Sequence, residues 1–181
     1  MALQRIVIMG CSSSGKSTLA RAVGAKLGLP VIHLDALYWN PGWQECPTPE
    51  FRSRVQEAHR GDRWVSEGNY STKTWDIRLP RADLVVRLRQ PRMKCMRRMV
   101  MRTLTQYGRT RADLGPGNPE RFDAGTWTLA KFIWDYERKL PAYTAKLEEF
   151  NLGERFIELH GDAAVRDFLA GLPREPAKVA A

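Results

Sequence analysis

The sequence predicts an α/β protein, a parallel sheet with helices on both faces, and two observations carry that expectation. Short apolar runs alternate with helix-like stretches along the chain, the pattern that builds a parallel sheet through crossover helices. In addition, Gly10-Cys11-Ser12-Ser13-Ser14-Gly15-Lys16-Ser17 fits G-x-x-x-x-G-K-[ST]. It stands directly after the apolar run Ile6–Met9 and directly before a helix-like stretch from Ser17 to Leu27, which is the context that motif requires. At 181 residues the chain suits one domain, able to bury roughly 70 % of its unfolded surface.

The elements follow in order. The first strand is read at Gln4–Met9. The first helix carries Leu19, Val23 and Leu27 at four-residue spacing and stops at Gly28, a C-terminal cap. The second strand spans Val31–Leu34. Thr48-Pro49-Glu50 places an N-cap before a proline in the first helical turn and opens a helix to about Arg60. The third strand is Arg63–Ser66 and the fourth Leu84–Leu88. Pro91 starts a helix with Met93, Met96, Val100 and Leu104 on its apolar face and Lys94, Arg98 and Arg102 on a basic stripe. Gly108–Asp123, with three glycines and two prolines, reads as a loop that can move. A long aromatic-rich helix follows over about Gly125–Asn151, interrupted near Pro141. Its Trp127, Phe132, Trp134 and Tyr136 are assigned to the core. The fifth strand is Arg155–Leu159, and Asp162–Leu169 is the last helix. The domain thus covers 1–173, with a lid over about 98–123 and a disordered tail at 174–181.

Composition narrows the function classes. No apolar run reaches 18 residues and the start lacks the apolar core of a signal peptide, so a cytoplasmic protein without a membrane span is expected. Cys11, Cys46 and Cys95 are odd in number and unpatterned, which speaks against a disulfide framework or a zinc site. The net charge of +9 is local: residues 87–111 hold nine Arg or Lys and no acid, while acids and bases cancel elsewhere. A local basic cluster favours a site for a compact polyanion over a wholly basic nucleic-acid surface.

The motif defines the candidate site. Backbone N–H groups of a glycine-rich loop, with the following helix N-terminus, form a nest for phosphate oxygens. Gly10, Ser12, Ser13, Ser14, Gly15, Lys16, Ser17 and Thr18 are therefore read as binding ATP, with Lys16 on the β/γ oxygens and Ser17 on Mg²⁺. Ligands of open parallel sheets bind beyond the carboxyl ends of the strands. There the second strand ends in His33-Leu34-Asp35 and the third in Ser66-Glu67-Gly68-Asn69. Glu67 is assigned to Mg²⁺ with Ser17, and Asp35 to the acceptor hydroxyl, as base or as orienter. Strand alternation turns His33 to the other face, where it is structural. Tyr38, Trp39 and Trp43 beside Asp35 are read either as the wall of an acceptor pocket or as a hydrophobic cover. Arg98, Arg102, Arg109 and Arg111 are catalytic candidates that neutralise charge on the γ-phosphoryl when a lid closes.

Several segments together resemble a known group. These are the phosphate loop, His33–Trp39, Pro41-Gly42-Trp43, Trp64–Tyr70, Arg78–Asp83 and Gly108–Arg111. They resemble the adenylate-kinase-like branch of the P-loop kinases, and more narrowly the bacterial DNA topology modulation proteins. The resemblance implies a three-layer αβα P-loop NTPase fold, sheet order 2-3-1-4-5, ATP as nucleotide, a helical lid after the fourth strand, and Gly161–Ala164 near the adenine. Adenylate kinases carry Asp-Gly-Phe-Pro-Arg after the third strand, whose arginine grips the acceptor phosphate. Here Glu67-Gly68-Asn69-Tyr70 has no adjacent arginine, which leaves Arg78, or Lys73, to fill that place, with Asn69 also facing substrate.

The expectation is ATP- and Mg²⁺-dependent phosphoryl transfer to a small acceptor (a nucleotide, a nucleoside or another hydroxyl metabolite) by a monomer or homodimer. The alternative is a nucleotide-gated regulator that binds DNA or a protein through the basic helix 92–111.

Overall fold

The apolar residues of the central strands alternate between two cores, and this builds the sheet. The structure, a computed structural model, describes residues 3–173; the tail expected at 174–181 lies outside them. In chain order the elements are β1 (Arg5–Gly10), α1 (Lys16–Leu27), β2 (Val31–His33), α2 (Leu34–Tyr38), β3 (Trp39–Asn40), β4 (Gln44–Glu45) and α3 (Thr48–Ala58). They continue as β5 (Trp64–Glu67), α4 (Ser71–Arg78), β6 (Leu84–Arg89), α5 (Arg92–Thr105), α6 (Ala124–Glu148), β7 (Phe156–His160) and α7 (Gly161–Gly171). The main sheet is five-stranded and parallel, ordered β2-β5-β1-β6-β7, which is the order 2-3-1-4-5 of the strands read from sequence.

Period-2 alternation assigns each face. Ile6 and Ile8 join Val65, Val86 and Leu88 in a core covered by α1 and α7. Val7 and Met9 point the opposite way, into a core with Trp64, Trp75, Leu79 and Leu147. Burial on both faces is why these strands read as apolar runs. A third cluster, Cys95, Met99, Ile133, Tyr136 and Leu140, joins α5 to α6 and reaches Cys11 of the phosphate loop.

Several elements differ from the sequence reading. The chain leaves β2 at His33, and Leu34–Tyr38 closes a short helix where the strand was expected to continue. The aromatic segment after it is an antiparallel hairpin of β3 and β4 turned at Gly42 and Trp43, both with positive φ. Helix α4 has no counterpart in the reading. Pro141 does not interrupt α6. It lies on the solvent side, where water replaces the amide it lacks at Glu137, one turn back and also exposed. Trp127 and Trp134 are 79 % and 48 % exposed, not core. Their seven-residue spacing puts them on one face of α6, turned from the stripe of Ile133, Tyr136 and Leu140 that packs on α5.

The expected helical lid divides. Residues 98–105 belong to α5, while 106–123 are irregular, tied by isolated bridges Tyr107–Glu120 and Thr110–Pro119. Three glycines and two prolines in that stretch preclude a helix. The segment docks on the hairpin: Gly42 N donates to Gly117 O at 2.9 Å, Trp43 N to Asn118 Oδ1 at 2.7 Å, and Trp43 Nε1 to Pro119 O at 2.8 Å.

Candidate active site

A cleft of about 1220 Å³ opens beyond the carboxyl ends of β1, β2 and β5, between the phosphate loop and the 106–123 segment. Ser12 through Thr18 line its floor. The loop reaches its shape through positive φ at Ser13 (58°) and Gly15 (105°), which turns successive amides inward. Gly10 serves a different purpose from the one expected. It does not line the cleft, and a Cβ there would meet Leu88 O at 2.4 Å, so glycine is what lets β1 lie against β6. Lys16 Nζ donates to Cys11 O at 3.0 Å across the loop, and Arg98 Nη1 donates to Ser14 O at 2.9 Å. The hydroxyls of Ser13 and Ser14 are buried without partners, consistent with a nest built for an anion.

At the far side of the loop, polar groups converge on Glu67, which is only 3 % exposed. Ser17 Oγ donates to Glu67 Oε1 at 3.1 Å, and His33 Nδ1 lies 2.9 Å from the same oxygen. Burial pushes the Glu67 carboxyl up, but His33, Lys16 and Ser17 outweigh it and hold the group below the ordinary carboxylate range. Asp113, buried in the 106–123 segment, completes the group: one ligand atom each of His33, Glu67 and Asp113 lie within 4.8 Å of one another. An imidazole nitrogen with two buried carboxylates fits a divalent ion. Ser17 and Glu67, the two residues read from sequence as a magnesium pair, thus stand in direct contact beside the loop. His33 was read as facing away, but the strand ends at His33 itself and α2 begins, so alternation no longer governs its direction.

Asp35, in the first turn of α2, lines the cleft and accepts a hydrogen bond from Tyr70 Oη at 2.7 Å. Burial and the neighbouring Glu67 charge raise its carboxyl, against the opposing pull of Tyr70, Lys16 and Arg111. Trp39 and Trp43 line the cleft beside it, their rings edge to face at 5.5 Å. Of the two readings left open for these aromatics, a pocket wall fits Trp39 and Trp43 but not Tyr38. Tyr38 is buried in the cluster around Phe51, donates to Glu45 Oε2 at 2.6 Å and accepts from Lys73 at 2.9 Å.

Three further expected residues are placed elsewhere. Asn69 is pinned to the loop backbone, its Oδ1 accepting from Gly10 N at 2.9 Å and its Nδ2 donating to Gly10 O at 2.8 Å. Arg78 is fully buried, donating to Thr74 Oγ1, Ser66 Oγ, Gly68 O and Asn69 O, and does not reach the cleft. Two of its partners are carbonyls of the turn after β5. Arg109 is exposed outside the cleft, because the Gly108 turn uses its backbone for pairing with Glu120 and sends its side chain to solvent.

Arg98, Arg102 and Arg111 do line the cleft. Arg102 and Arg111 meet over Glu120, their Nε atoms 3.2 and 2.8 Å from its Oε1, and Arg111 also pairs with Asp113 at 2.9 Å. Burial, then the neighbouring Arg111 charge, lowers the pKa of Arg102. On the other flank of the cleft are Asp162, Val165, Arg166 and Leu169, so α7 shapes this side. Asp162 is the one residue of Gly161–Ala164 among them.

Solved structures resemble this chain across nearly all of it, two kinases among them. A gluconokinase from Sinorhizobium meliloti 1021 superposes with TM-score 0.53 at 20 % identity, over 94 % of this chain and 91 % of that one. A shikimate kinase from Bacteroides thetaiotaomicron does so with TM-score 0.53 at 17 % identity, over 93 % and 96 %. The fold is that of a P-loop kinase. No protein-family model matches the chain, and no curated protein matches it in sequence. Among the described residues, no helix is long and apolar enough to cross a membrane.

Proposed function

We propose that the protein transfers the γ-phosphoryl group of ATP to the hydroxyl of a small acceptor that itself carries no phosphate, such as a nucleoside or a polyol. The observation that carries this is Asp35, a carboxylate with raised pKa in the same cleft as the phosphate nest and beside two indole rings. A raised carboxylate is a stronger base toward the acceptor's proton than an ordinary one. The absence of phosphate on the acceptor follows from charge. Arg102 and Arg111 are already matched by Glu120 and Asp113, and Arg78, the candidate phosphate clamp, is buried elsewhere.

In this reading the loop amides and Lys16 bind the β/γ-phosphates, and Ser17 and Glu67 hold the magnesium ion, which supplies charge neutralisation between them. Asp35 orients the acceptor hydroxyl and takes its proton as that oxygen bonds to the γ-phosphorus. The bond from phosphorus to the β–γ bridging oxygen breaks, and ADP leaves with that oxygen. Arg98 stands over the loop, held to Ser14 O and to Asp162 at 3.2 Å, where its guanidinium can neutralise charge on the transferring group.

The test is ADP release from Mg-ATP over a panel of nucleosides, polyols and nucleoside monophosphates. Turnover is expected with uncharged acceptors and not with monophosphates. Lys16→Ala and Glu67→Ala should each lose at least about a hundredfold in kcat with the melting transition intact. A wild-type rate in either variant would overturn the mechanism, and monophosphate preference would overturn the acceptor class.

A further inference from the structure

Magnesium reaches most ATP-using kinases already bound to the nucleotide, because an ion that keeps its waters needs few protein ligands. The donor set beside the phosphate loop is of another kind. His33 Nδ1, Glu67 and Asp113 bring one imidazole nitrogen and two carboxylates together, with ligand atoms within 4.8 Å of one another. Both carboxylates are shielded, at 3 % and 7 % exposure. The three come from unrelated places: the end of β2, the end of β5, and the irregular segment 106–123.

Asp113 stands there for visible reasons. Arg111 pairs with it at 2.9 Å, and the chain beyond it is fastened to the hairpin through Gly117, Asn118 and Pro119. Asp35, Glu67 and Asp113 thus bring three carboxylates to one cleft, which Lys16 and Arg111 also line. Nitrogen ligation distinguishes first-row transition ions from magnesium, which favours oxygen alone.

We infer that His33, Glu67 and Asp113 form a divalent-ion site of the protein's own, filled without nucleotide, preferring Mn²⁺ or a similar transition ion to Mg²⁺, and fastening the 106–123 segment to the sheet edge. This shares Glu67 with the kinase reading, so the ion held here would be the one that meets the nucleotide, but it does not depend on turnover. It gives the segment a reason to be ordered before nucleotide arrives, and it assigns a role to His33, which the sequence reading had set aside.

The full chain, free of nucleotide, is titrated with Mn²⁺ while the paramagnetic resonance of the free ion is followed, and again in the presence of excess Mg²⁺. One ion per chain is expected, held at least tenfold more tightly than Mg²⁺. His33→Gln and Asp113→Asn should each weaken binding by roughly tenfold or more, with circular dichroism confirming the fold. Bound Co²⁺ should show visible bands that shift in His33→Gln, because a nitrogen donor is lost. Mn²⁺ should also slow amide exchange over 106–123 in the wild type but not in Asp113→Asn.

The wild-type titration alone can decide the matter. No binding without nucleotide, or equal affinity for Mg²⁺ and Mn²⁺, would overturn the inference, as would unchanged affinity in both variants. Mn²⁺ binding without any ATP turnover would instead remove the kinase reading and leave this site standing.

Discussion

Arg78 and His59 show what burial does to a single side chain in this protein. Burial lowers the Arg78 guanidinium to a pKa of about 9, with Glu67 and Tyr70 opposing the shift. The cation stays because four oxygens surround it, and its service is to hold the carbonyls of Gly68 and Asn69 just past Glu67. His59 is wholly buried, and its ring keeps one hydrogen-bond partner, Val55 O at 2.7 Å, and stacks edge-on to Trp64 at 4.8 Å. Burial lowers its pKa to about 4, with Arg78 and Arg81 adding to the effect and the bond to Val55 O resisting it. The unfolded chain takes up this proton near pH 6.5 while the folded one refuses it until about pH 4. The contribution of neutral His59 is therefore complete above pH 6.5 and is lost as pH falls through that interval, on the order of 3 kcal/mol in all. Urea midpoints measured from pH 7 to pH 4.5 should fall less steeply in His59→Gln than in the wild type. Parallel curves would show that His59 does not set the acid limb.

At the scale of elements, the docking of 106–123 on the β3–β4 hairpin depends on backbone that only glycine adopts freely. Gly117 has φ 83°, and a Cβ there would sit 2.9 Å from Pro41 Cβ. Gly117→Ala should loosen this contact by about 1–2 kcal/mol through strain and crowding, giving roughly five- to thirtyfold faster proteolysis within 106–123. The global melting temperature should hardly change, since no core cluster contains this segment. Gly61→Ala, at an open position with ordinary φ, is the control. Equal cleavage of the two variants would show that the docking is not what protects the segment. How much of this was legible follows from period and length. The five main strands and the long helices were readable because burial on one or two faces writes itself into the sequence. Helix α2 was not, because five residues are too few to show a period. Helix α4 offers only Trp75, with Leu79 at its C-cap four residues on, as its signal. The phosphate loop, Asp35 and Glu67 were legible from their places at strand ends. Asp113 was not, since an irregular segment has no periodicity to say where a side chain arrives.

Across the whole molecule the basic cluster of residues 87–111 looks different in three dimensions from its appearance along the chain. Glu158 pairs with Arg87 and Arg89, Asp162 with Lys94 and Arg98, and Glu120 with Arg102 and Arg111, all from acids beyond the stretch itself. Among the described residues, Arg92, Arg97 and Arg109 are the members of that cluster with no carboxylate within ion-pair distance, and Arg92 lies 4.8 Å over the Trp134 ring. The net charge of +9 is therefore spread over the rest of the surface, and the basic stretch itself, with three unmatched charges, releases few counterions. Binding to duplex DNA should accordingly be weak, with a log–log salt slope of about −3 or shallower. A slope near −8, measured by fluorescence anisotropy between 50 and 200 mM salt, would revive the nucleic-acid reading.

The hairpin turn carries one more implication. Trp43 holds a left-handed backbone, φ 62°, which an aromatic residue seldom tolerates, and what keeps it there are Asn118 and Pro119 from a strip of chain 75 residues further on. Neither piece is at ease without the other. The rim of the cleft is therefore a single latch made of two remote stretches, and loosening either one releases both.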